Sequence, residues 1–140
     1  HTPGLPDWMR WYPGDDVVDL FGLSTFRPGH VGPVKGGEWL RAAETRRKPL
    51  MICESTPMMF DIATQPDEAW TTWYESYFRF ILNNDCCRAF VYINQDLTQW
   101  PMWHEFGDSR LHRSPAVLER FIATLRDARM AHLPDWRRGS

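Results

Sequence analysis

Two kinds of apolar run alternate along the chain. "VVDLFGLSTF" (17–26), "LMICES" (50–55) and "RAFVYIN" (88–94) are short and bounded by Pro, Gly, Asn or Asp, and they read as strands. The first carries apolar residues on both faces, which suits a strand covered on both sides, as in a parallel sheet. Between them the apolar spacing lengthens to three and four residues. "GEWLRAAETRRK" predicts a short helix, with Glu38 in its first turn, Arg46, Arg47 and Lys48 in its last, and Pro49 ending it. Pro66-Asp67-Glu68 opens a longer helix through about Leu82, whose stripe is Trp70, Trp73, Tyr74, Tyr77, Phe78 and Ile81. Ser114 with Pro115 behind it predicts the start of a third helix, carrying Val117, Leu118, Phe121, Ile122 and Leu125 on one side.

Residues 1–16 hold three prolines and two glycines and read as loop, as do "RPGHVGPVKGG" and roughly 95–113. The resulting order is strand, helix, strand, helix, strand, helix. That order means an α/β fold with a parallel sheet and right-handed crossovers. In such sheets ligands bind at the carboxyl ends of the strands. Glu54 stands at that end of the second strand, and Asn94, Gln95 and Asp96 at that end of the third.

Composition narrows the function classes. The 140 residues suit one domain, and a net charge of −2 gives no sign of a nucleic-acid or anionic-membrane partner. No apolar run approaches a membrane span. The three cysteines, Cys53, Cys86 and Cys87, form no zinc pattern, and Cys53 reads as a small buried hydrophobe. No glycine-rich phosphate cradle or other cofactor motif is present. His104, Glu105 and Asp108 are neighbours on an irregular loop, which reads as solvent-exposed polar chain rather than a metal site.

Eight tryptophans are a heavy load for this length. Trp39, Trp70 and Trp73 lie in helical stretches and belong to the core. Trp11, Trp100 and Trp103 lie in loops, where a flat indole face can stack on a sugar ring or pack the loop down. Pro13-Gly14 beside Trp11 is a turn signal, and Asp15 or Asp16 can hold that turn. Asn94 and Asp96 can bond sugar hydroxyls or cap the following turn.

"WYPGDDVVDLFGLSTF", "KPLMICESTP" and "RAFVYINQDLTQWPMWHEFGDSRL" occur in this order over about residues 1–130. Together they resemble the C-terminal part of family 26 glycoside hydrolases, whose best-known members are endo-β-mannanases. The resemblance implies a (β/α)8 TIM barrel, of which this chain supplies strands six to eight over residues 1–130, with 131–140 as a tail. It implies a retaining glycosidase acting on β-linked polysaccharide of the mannan type, with Glu54, at the end of strand seven, as the nucleophile. The acid/base glutamate, at the end of strand four, has no counterpart here, so the chain reads as a fragment, inactive alone. Trp103 is the first choice for a sugar platform, with Trp100, Asn94, Asp96 and Trp11 as further substrate-binding candidates. The implied partner is a polysaccharide or oligosaccharide, with no cofactor, nucleic acid or membrane, and the implied location is extracellular or periplasmic. Three parallel strands leave barrel edges open, so self-association is expected.

The chain departs from the family pattern in three places. Where the family often sets a tyrosine against the nucleophile, this chain reads Ser24-Thr25-Phe26. Leu97 stands where a tryptophan commonly follows the aspartate, and Phe106 opens the phrase that is commonly "WGDSR". Outside the resemblance, Glu54 is also compatible with a strand-end carboxylate meeting solvent or an arginine. The whole chain is compatible with a non-catalytic α/β module that binds carbohydrate or protein through its loop tryptophans.

Overall fold

A computed structural model describes residues 7–130. The tail assigned to 131–140 lies outside the described residues. Three strands, β1 (Phe21–Thr25), β2 (Leu50–Ser55) and β3 (Cys87–Phe90), form a parallel sheet in the order β1-β2-β3. Helix α1 (Lys35–Arg46) joins the first pair. The second pair is joined by α2 (Pro66–Ala69) and α3 (Glu75–Leu82), with a π-helical turn, Trp70–Tyr74, between them. Helix α4 (Pro115–Leu125) closes the order.

The alternating order and the parallel sheet are as the sequence predicts, and several boundaries are corrected. The predicted strand 17–26 shrinks to five residues, and Val17 and Leu20 are exposed ahead of it, because an apolar run does not say what will cover it. Helix α1 stops before Pro49: Arg47 takes the left-handed conformation at φ 54° and its N–H caps the carbonyls of Ala43 and Glu44. The predicted 88–94 strand is regular only to Phe90, although Val91 and Ile93 still donate to the carbonyls of Ile52 and Ser55. Within 1–16, Asp7–Trp11 forms a 3-10 helix. Ser114 caps α4 through the Val117 N–H, and Val117 and Phe121 are buried, but Ile122 on the same predicted face is exposed.

One sheet face carries the core. Phe21, Leu23, Leu50 and Ile52 pack there with Ala42 and Ala43 of α1 and Trp73, Tyr74, Tyr77 and Phe78 of the second crossover. Trp73 is buried, while Trp39 and Trp70 are partly buried against this core, in keeping with a packing role. Two buried hydroxyl chains tie the layers. Ser55 Oγ donates to the Val91 carbonyl at 2.6 Å, so its one proton is spent, and the Tyr77 hydroxyl must donate to Ser55 Oγ at 2.7 Å. Tyr92 likewise donates to the Ser109 carbonyl at 2.7 Å, and Tyr74 to Tyr92 at 2.6 Å. Burial pushes the Tyr74 and Tyr77 phenols up, so both remain protonated donors.

The opposite face is open. Gly22, Ser24, Met51, Cys53, Ala89 and Val91 alternate with the core positions and lie half or fully exposed. Cys53 is therefore not the buried hydrophobe expected of it.

Candidate active site

Glu54 reaches the open face through an irregularity. The β1–β2 register runs Phe21↔Leu50, Gly22↔Met51, Leu23↔Ile52, then skips Cys53 to give Ser24↔Glu54 and Thr25↔Ser55. Strict alternation would turn Glu54 toward the helices, beside Tyr77. The extra residue reverses that parity, as a bulge does. Glu54 becomes exposed, and Ser55 takes the core side. Gly22 accommodates the shift, since a Cβ there would stand 2.6 Å from the Cys53 thiol.

Ser24 Oγ donates to Glu54 Oε2 at 3.0 Å. That bond fixes the direction of the carboxylate. Ser55 and Thr56, adjacent in sequence and plausible donors to Glu54 on that ground, do not serve it: Ser55 is spent on Val91, and Thr56 is buried. The serving group comes from the neighbouring strand, in the stretch where the family resemblance leads one to look for a phenol.

The loops after the three strands interlock at the same end. The N–H groups of Thr56 and Met58 donate to the carbonyls of Thr25 and Phe26, and the Met59 N–H donates to the Glu105 carbonyl at 2.8 Å. Phe106 meets the edge of Phe26 at 5.1 Å between centroids. Gly107, at φ 74°, presses against the Phe60 carbonyl, where a Cβ would lie 2.3 Å from the oxygen. His30 Nδ1 accepts from the Phe26 N–H at 3.2 Å, and burial lowers its pKa, helped by Lys35 and Arg27.

The loop after β3 carries Trp100 and Trp103, 49% and 45% exposed, with ring centroids 6.2 Å apart and planes tilted by 59°. It therefore shares the carboxyl end of the sheet with Ser24 and Glu54. Asn94 and Asp96 also lie at this end but are engaged. Asn94 Oδ1 accepts from the Leu111 N–H at 2.7 Å, and Asp96 accepts from the Thr98 N–H and hydroxyl and from Gln99. His104 lies on this loop with Nδ1 2.8 Å from the Pro101 carbonyl.

Trp11 is placed elsewhere. Its neighbour Tyr12 stacks on Phe21, the first residue of β1, and lies under the Arg46 guanidinium. Trp11, 88% exposed, therefore belongs to the amino end of the sheet, away from Glu54. Asp15 holds the adjoining turn through Tyr12, Lys48 and Arg46. An open concavity of about 770 Å³ also lies at the amino end, lined by Arg47, Lys48, Asn84 and Cys86 among others. It collects none of the groups gathered around Glu54.

Sequence reasoning missed Ser24, because the residue that serves Glu54 is its register partner and not its chain neighbour. It also missed the aromatic ridge of the last loop, although Leu97, Trp100, Trp103 and Phe106 recur every third residue, the period of a 3-10 helix.

No family model matches the chain. It is similar to β-1,3-xylanase TXYA of a Vibrio species, with 33% identity over 159 aligned positions covering 96% of this chain. It is also similar to a β-1,3-xylanase of an Alcaligenes species, with 32% identity over 149 positions and 89% of the chain covered. The matches span 35% and 32% of those proteins, so the chain corresponds to about a third of the relatives' length.

Proposed function

We propose that this chain is the C-terminal part of the catalytic barrel of a retaining glycoside hydrolase of the family 26 type. Glu54 is its nucleophile, and the substrate is a β-linked polysaccharide. The observation that carries the reading is the exposed Glu54 carboxylate at the carboxyl end of the middle strand, turned there by a bulge and held by Ser24. A retaining mechanism needs an ionised carboxylate to attack the anomeric carbon. It also needs a protonated carboxyl about 5–5.5 Å away, which delivers its proton to the leaving oxygen and then activates water. The second carboxyl comes from another strand of the complete barrel. The open face bearing Gly22, Cys53 and Glu54 becomes the barrel interior.

The relatives are named for β-1,3-xylan, which makes that polymer the preferred substrate over the mannan suggested by the sequence resemblance. Trp103 and Trp100 supply stacking faces for sugar rings. Asn94 and Asp96 contribute by shaping the loop, and Trp11 stands apart. A polymer of this kind is met outside the cytoplasm, so the enzyme is placed in the extracellular or periplasmic space.

The test is hydrolysis of β-1,3-xylan and of mannan by the whole protein, wild type against Glu54→Gln. The expected result is release of xylo-oligosaccharides with retained anomeric configuration. Loss of the nucleophile should lower turnover by about 10³-fold or more, as is seen when one member of a covalent machinery is removed. Undiminished hydrolysis in Glu54→Gln removes the nucleophile from the scheme. Polysaccharide binding with no wild-type turnover selects instead a non-catalytic binding module, the reading favoured by the exposed indole pair alone.

A further inference from the structure

The tryptophan-bearing loop is closed at its base by a backbone bridge and by the Arg110 side chain, which reaches both of its feet. Asp96 and Asp108 form an isolated antiparallel bridge at its two feet, and the Leu97 N–H donates to the Gly107 carbonyl at 3.2 Å. The Arg110 guanidinium grips both feet. Its Nε donates to Asp108 Oδ1 at 2.9 Å and its Nη2 to Asp108 Oδ2 at 2.7 Å, a forked pair, and the same Nη2 lies 3.3 Å from Asp96 Oδ2. Arg113 adds a longer contact to Asp108 at 3.5 Å. Buried Ser109, between Asp108 and Arg110, donates its N–H to the Gln95 carbonyl at 3.1 Å and its one hydroxyl proton between the Ile93 and Gln95 carbonyls, each 2.9 Å from Oγ, which pins the fork to the chain leaving β3.

Above the feet the chain climbs in successive tight turns. The N–H groups of Trp100, Trp103 and Phe106 each donate to the carbonyl three residues back. These turns bring Trp100 and Trp103 side by side, with ring centroids 6.2 Å apart. Leu97 is buried, Phe106 sits on Phe26 two residues beyond Ser24, and the two indoles remain in solvent. Both ends of the stretch are thus anchored, and the two indoles stand in solvent between them, on the loop that leaves the carboxyl end of the sheet. Large indoles on a loose polar loop would have to be ordered on binding, at a cost that grows with each immobilised side chain.

We propose that Arg110 is a positioning residue that presets the Trp100–Trp103 ridge for a polysaccharide chain, so that its loss weakens polymer binding without slowing the step at Glu54. The proposal rests on the glycosidase reading given above. Arg110 acts through the indoles, and a short substrate confined to the strand ends does not feel it.

The experiment compares Arg110→Met and Asp96→Asn in the whole protein, on polymeric β-1,3-xylan and on a short aryl xyloside. Arg110→Met should raise KM for the polymer about tenfold, the scale of ordering two side chains on binding. Asp96→Asn keeps a side-chain oxygen for the Thr98 N–H and hydroxyl but loses the acceptor that faces Gln99 and Arg110, and leaves the Arg110–Asp108 fork intact, so it should raise KM less. The kcat on polymer should stay within about twofold, in line with loss of uniform binding, and the aryl xyloside constants should not move. In a Trp100→Ala/Trp103→Ala background, Arg110→Met should add nothing. An unchanged polymer KM, a matching fall in kcat, or a full further loss in the background without the indoles overturns the proposal. If Arg110→Met does not fold, the near-isosteric Asp96→Asn decides on the same criteria. A reading independent of turnover comes from ¹⁹F spectra of protein labelled with 5-fluorotryptophan. Unaltered Trp100 and Trp103 resonances in Arg110→Met or Asp96→Asn sink the positioning role even if Glu54 proves catalytic. Altered resonances with hydrolysis intact in Glu54→Gln uphold the positioning role and remove only the nucleophile assigned above.

Discussion

The Tyr77–Ser55–Val91 chain makes a quantitative prediction about the support under Glu54. The single proton of Ser55 goes to the Val91 carbonyl, and Tyr77 donates into the same oxygen. Both side chains are fully buried. Tyr77→Phe therefore deletes one hydrogen bond and leaves no donor orphaned, at a cost of about 1 kcal/mol. Ser55→Ala deletes two bonds and leaves the Tyr77 hydroxyl buried without a partner, at a cost of about 3 kcal/mol once that desolvation is included. The double variant has no orphaned hydroxyl and should cost only about 2 kcal/mol, less than Ser55→Ala alone. The pair is thus coupled by about 2 kcal/mol relative to additivity. Equilibrium urea unfolding of the four proteins can follow total tryptophan fluorescence, to which Trp73, stacked on Tyr77 at 4.5 Å between centroids, contributes from this core. Additivity within about 0.5 kcal/mol, or a Ser55→Ala no costlier than Tyr77→Phe, would refute the assigned donor directions.

Gly107→Ala should destabilise the protein by about 3–5 kcal/mol, since it combines a backbone conformation that strains any other residue with a displaced Phe60 carbonyl. Thermal denaturation should show a fall of about 10 °C or more, and a shift under about 3 °C would contradict the close approach. The 140-residue chain studied alone should self-associate through the outer edges of β1 and β3, beside which no further strand lies among the described residues, and through its open face, where Val91 is 44% exposed. A sharply melting monomer in sedimentation velocity would count against the barrel-segment reading.

Legibility in the sequence followed the range of the interaction that fixed each feature. Strand β2 and the start of α4 could be read because they depend on neighbours: an apolar run ended by polar residues, and Ser114 capping its own helix. Strand β1 was overextended because what covers Val17 and Leu20 is not written in their local pattern. Asn94 and Asp96 read equally as sugar contacts or turn caps in the sequence, and their partners at Leu111, Thr98 and Arg110, the last of these across a loop, are visible only in the structure.

Glu54 shows the limit most clearly. Its position at a strand end was legible, but its direction was a matter of parity. Alternation counted from Leu50 sends position 54 to the helix side, where an ionised carboxylate would meet Tyr77 and the buried aromatic layer and lose its hydration. One skipped residue at Cys53 moves it to the open face and places it abreast of Ser24. The skip leaves a trace in the sequence at Gly22, whose missing side chain leaves room for the Cys53 thiol, and it lies on another strand. A site made by register is therefore invisible until the strands are paired. The same pairing sets Ser24 against the carboxylate where the neighbours Ser55 and Thr56 could not reach it. The chemistry proposed for this chain depends on that one-residue offset as much as on the glutamate itself.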